Sequence, residues 1–92
     1  MLKYIKYFST IGGDTMTFER ERWIDDELDV SDIHLYPALQ EIVDEYINAI
    51  NNQNTNRCEI LNEDLEMFFK NAYADGKYSY SDWKRLENKY RI

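Results

Sequence analysis

Between residues 37 and 51 the apolar side chains return every three or four positions, at Leu39, Ile42, Val43, Tyr46, Ile47 and Ile50. That spacing gathers them on one face of an α-helix and leaves Gln40, Glu41, Asp44, Glu45 and Asn48 on the other. Pro37 suits the first helical position, where the N–H that proline lacks would have no partner. The polar run over residues 51–56 closes the helix as a loop.

A second stripe, Leu65, Phe68, Phe69, Ala72 and Tyr73, predicts a helix over 63–74. Asn62 reads as its cap, and Glu63 and Asp64 fall in the first turn, where the helix dipole favours anions. Residues 57–61, just ahead, read as a short strand or an extended link. Gly76 sits where a left-handed residue closes a helix. Ser79, followed three residues later by Asp82, is a capping pattern that opens a last helix over 80–91. Trp83, Leu86 and Tyr90 form its apolar side. Lys84, Arg85, Lys89 and Arg91 crowd toward its C-terminus, where the dipole favours cations. At the front, Thr17 reads as the cap of a helix over 18–28. Its apolar positions Phe18, Trp23, Ile24 and Leu28 keep helical spacing only loosely, and residues 29–32 break it. The expected fold is all-α, a small bundle of three to four helices.

Length and composition narrow this picture. At 92 residues the chain is one domain, near the size at which a single core supplies only a few kcal/mol. Cys58 is its single cysteine, so no disulfide within the chain adds to that, and self-association or a tight partner is a natural source of further buried area. A lone thiol without a secretory signal fits a reducing cytoplasm. The apolar runs are only a few residues long, far short of a membrane span. Gly12-Gly13-Asp14, read as codons GGA-GGT-GAT, forms a bacterial ribosome-binding sequence just ahead of Met16. Residues 1–15 are therefore expected to be a translated leader or flexible extension, with a single helical domain over 16–92.

Charge is distributed unevenly. Residues 16–66 carry fourteen acids against three bases, a net of −11, whereas residues 67–92 carry three acids against six bases, a net of +3. The acids are densest at Glu19, Glu21, Asp25, Asp26, Glu27, Asp29 and Asp32, with only Arg20 and Arg22 between them. On a rigid helix such carboxylates would present a field like that of a phosphate backbone, steering the domain toward a cationic groove. The simpler reading is that the basic last helix docks near the acidic ones and the remaining acids are solvated.

Motifs for chemistry are sparse. Asp75-Gly76-Lys77-Tyr78-Ser79-Tyr80-Ser81-Asp82 resembles the second half of an EF-hand calcium loop, with aspartate, glycine, an apolar residue and a closing acid at matching offsets. The two earlier ligand positions hold Asn71 and Tyr73, and tyrosine supplies no carboxylate oxygen. A glycine-closed helix followed by a serine-capped one accounts for the same residues. His34 is the single histidine, and no nucleophile elbow or phosphate loop is present. Asp25-Asp26 and Glu63-Asp64 are adjacent in sequence, so on a helix they diverge by about 100°. Cys58 has only Arg57 nearby to lower its pKa and reads as a packed residue. No catalytic site, metal or other cofactor is expected.

The expected role is a non-catalytic protein-binding module, of the kind used as a small regulator or inhibitor by a phage or mobile element. The partner-binding residues would be Glu19, Glu21, Asp25, Asp26, Glu27, Asp29 and Asp32, set against a basic site of a nucleic-acid-handling protein. The alternatives are a homo-oligomer joined through Trp23, Tyr78 and Tyr80, and a direct nucleic-acid binder using the basic last helix. The strongly negative whole weighs against the latter.

Overall fold

Pro37 does open the first long helix. In a computed structural model that describes residues 18–92, α1 runs over Pro37–Asn51, α2 over Thr55–Ala74 and α3 over Tyr80–Lys89. The three helices pack together, α2 lying against both α1 and α3, and no strand occurs among the described residues. The stripe of α1 meets expectation: Leu39, Val43, Tyr46 and Ile50 are buried, with Ala49 added, and Ile42 and Ile47 are half-buried.

α2 begins eight residues earlier than its polar residues suggested. Asn54, not Asn62, is the cap, its side-chain oxygen accepting from the Arg57 N–H at 3.1 Å. Residues 57–61 are helical because Cys58 and Leu61 extend the apolar stripe of Leu65, Phe69 and Ala72 upstream at spacings of three and four; all five are buried. Asn62 lies inside the helix and turns inward. Its amide donates to the Tyr46 hydroxyl at 3.0 Å and to the Tyr90 carbonyl at 3.2 Å. Burial raises the Tyr46 phenol to about 12. Its proton goes to the Trp23 carbonyl at 2.7 Å, with the Tyr90 carbonyl 3.1 Å away.

The predicted helix over 18–28 does not form. One 3-10 turn, Arg20–Arg22, is followed by irregular chain as far as Tyr36. Two causes are visible. Phe18, Trp23 and Ile24 all pack into the core, yet on a helix they would point about 140° and then about 100° apart and could not form one stripe. Asp25 and Asp29 turn their carboxylates onto the N–H groups of Glu27 (3.1 Å) and Ser31 (2.9 Å), local bonds that compete with helix formation. The segment instead forms a strap across the bundle, burying Trp23, Ile24 and Ile33 against α1–α3. The Thr17 cap and the leader expected over 1–15 lie outside the described residues.

α3 starts as expected, with the Ser79 hydroxyl accepting from the Asp82 N–H at 3.1 Å. It ends at Lys89 rather than residue 91, because Arg91 takes a left-handed conformation (φ 55°). All three helices close alike. The N–H groups of the second and third residues past the end reach back to carbonyls near the last turn, and the middle residue is left-handed. Those middle residues are Gln53, Gly76 and Arg91, so glycine marks one ending of three.

Candidate functional site

The acidic segment is the place to begin, since it carries the expected partner-binding residues. Because residues 19–32 form a strap, their carboxylates do not line up on one helix face. Asp26 accepts from Arg20 through both oxygens, at 2.7 and 2.9 Å. Asp32 likewise accepts from Arg85 of α3, at 2.9 and 2.8 Å. The same guanidinium reaches the Asp29 carbonyl at 2.9 Å. These fork-to-fork contacts are the strong form of a charged hydrogen bond. They hold the Asp26 and Asp32 carboxyls below the usual carboxylate range. The Asp29 carboxyl is also lowered, by the Ser31 N–H and then the Ser31 side chain. Of the seven expected residues, Asp25, Asp26, Asp29 and Asp32 shape and anchor the strap. Glu19, Glu21 and Glu27 are exposed and carry no ion pair among the described residues.

Three of the four bases at the end of the chain are similarly occupied, Lys89 having no ion pair among the described residues. Arg85 clasps the strap, Arg91 donates to the Glu21 carbonyl at 3.0 Å, and Lys84 bridges to Glu87 at 3.1 Å. Lys84 also lies 4.3 Å from the centre of the Trp83 ring, on which Tyr73 stacks at 4.5 Å and against which Tyr80 packs edge-on at 5.7 Å. Of the aromatics expected to be exposed, Trp23 is buried at 6 % exposure and Tyr78 is half-buried, donating to the His34 carbonyl at 2.8 Å. Only Tyr80 is open to solvent.

No family model, curated protein or solved structure matches the chain.

The remaining candidates can be placed. Asn71 and Tyr73, the would-be early ligands of the calcium-loop pattern, lie within α2, and no group of three or more metal-ligating side chains occurs among the described residues. His34 and Lys77 border an open depression of about 370 Å³ between the strap and the start of α3. Asp32, also on its rim, is taken up by Arg85. Cys58 is fully buried, and burial pushes its thiol up, away from a reactive thiolate. No described helix is long and apolar enough to cross a membrane.

Because residues 57–61 are helical rather than a short strand or extended link, α2 presents one further surface. On α2, Ile60 and Met67 are each 52 % exposed. They lie seven residues apart, within about 20° of each other around the helix, on the side away from Leu61 and Leu65. The available signal was an apolar pair off the stripe of a long helix.

Proposed function

We propose that this chain is a small non-catalytic protein-binding module whose negative surface occupies a basic site on a nucleic-acid-handling protein, within a reducing cytoplasm. One observation carries the reading. Of the fourteen acids in residues 16–66, only Asp26, Glu45 and Asp32 have an ion-pair partner among the described residues. The other eleven therefore leave a negative surface field that ion pairs among the described residues do not neutralise. The arginine clasps support it further, because they hold the acidic strap in one shape and avoid an ordering cost on binding. Direct nucleic-acid binding has less support, since Arg85, Arg91 and Lys84 already have intramolecular partners. Self-association through exposed aromatics keeps Tyr80 and the neighbouring Tyr73 but loses Trp23 and most of Tyr78.

The structure also changes the choice of test residues. Reversing Asp26 or Asp32 would release the strap, so the informative changes are Glu19→Lys, Glu21→Lys and Glu27→Lys together. A host protein captured by the wild-type chain should be displaced by added duplex DNA and lost with the triple variant. Retention against both challenges would refute the electrostatic mechanism.

A further inference from the structure

Ile60 and Met67 stand two turns apart on the outer face of α2, opposite the buried Leu61, Leu65 and Phe69. Helical spacing places Glu59, Glu63 and Glu66 along one edge of this pair and Asp64 along the other. None of these four carboxylates has an ion pair among the described residues. Single exposed apolar side chains are ordinary. Two in register, flanked along their length by four carboxylates and bounded at the ends by Arg57, already paired with Glu45, and Lys70, form a strip that an amphipathic helix can cover with its own apolar positions.

Charge selects the occupant. A second copy of this face, turned about a twofold axis between Ile60 and Met67, would bring Glu63 and Asp64 against their own equivalents, and like charges in contact oppose association. A helix with lysine or arginine flanking the middle of its apolar stripe would set opposite charge against Glu59, Glu63, Glu66 and Asp64, between Arg57 and Lys70 at the two ends. We propose that the outer face of α2 docks a basic amphipathic helix of a partner protein. The site rests on the reading of the chain as an acidic protein-binding module and locates one contact of that module, away from the strap.

The test uses the full chain, labelled for NMR, and a synthetic probe. The probe is a capped leucine–lysine helix of about four turns, with a leucine–glutamate peptide of the same spacing as control. The basic peptide should shift the Ile60 and Met67 methyl groups and the surrounding α2 amides, with affinity falling as salt rises. Glu63→Lys with Asp64→Lys should weaken binding about tenfold or more. Ile60→Ser with Met67→Ser should weaken it comparably at unchanged charge. Ile60, Glu63 and Met67 are exposed and Asp64 is half-buried at the edge of the face, so helical circular dichroism should be retained. Glu19→Lys, Glu21→Lys and Glu27→Lys together should leave the peptide affinity within about twofold. The site is overturned by no shifts up to about 1 mM peptide, by shifts centred on residues 19–32, by equal binding of the acidic peptide, or by dimerisation through this face. A captured host protein that DNA displaces, with α2 silent toward the basic peptide, would sustain the proposed function and remove this site. Peptide binding at α2 without displacement of the host protein by DNA would do the reverse.

Discussion

The Tyr46 phenol is the point at which the strap, α2 and the end of α3 meet. Its proton satisfies the buried Trp23 carbonyl and its oxygen accepts from Asn62. Tyr46→Phe keeps the ring and removes only these bonds. It should cost roughly 1–3 kcal/mol, because the partners remain in place with their bonding unmet. Urea unfolding followed by circular dichroism measures this. Tyr80→Phe, at an exposed site, is the comparison and should change the midpoint little. Nothing in a stripe of apolar positions announces such a role: Tyr46 was legible as a core residue, but its hydroxyl partners come from 23 and 16 residues away in sequence. Asn62 was misread because asparagine is a common cap and the same amide can equally serve as an interior donor.

At the scale of elements, legibility followed the kind of signal. α1 was legible at both ends because proline, periodicity and a polar loop agreed. α3 was legible at its start, through Ser79, but not at its end, because Arg91 closes it where no glycine stands. α2 was legible only in its second half. The first segment failed because its apolar residues are too scattered for one helix face and aspartate turns compete with the helix. Of the candidate site, the acidity could be read, but not which acids were tied to arginines, since Arg85 meets Asp32 across 53 positions. The helix endings supply a prediction. Gln53 holds φ at 57°, a conformation that costs a residue with a Cβ about 1 kcal/mol. Gln53→Gly should therefore raise stability by roughly 0.5–1 kcal/mol after allowing for the freer unfolded chain. A higher melting temperature with unchanged circular dichroism would bear this out, and a lower one would show that the side chain contributes more than the strain removes.

For the whole molecule, the two clasps set the response to acid. Asp26 and Asp32 have carboxyl pKa values lowered by Arg20 and Arg85. Their contribution is therefore complete above the unfolded value of about 3.9 and is lost as pH falls through the lowered folded values. Arg85→Met should flatten the decline of stability below about pH 4, measurable as a smaller change in urea midpoint between neutral and acidic buffer. The clasped strap also has a topological consequence. The Asp25 N–H meets the Lys89 carbonyl at 2.8 Å and Arg91 reaches the Glu21 carbonyl, so the two ends of the described chain lie side by side. Covalent order and spatial order are thus separable in this bundle. Joined by a short linker from Ile92 to Phe18 and reopened in the turn at Asn52 and Gln53, a circularly permuted form of the described residues would keep the same core neighbours.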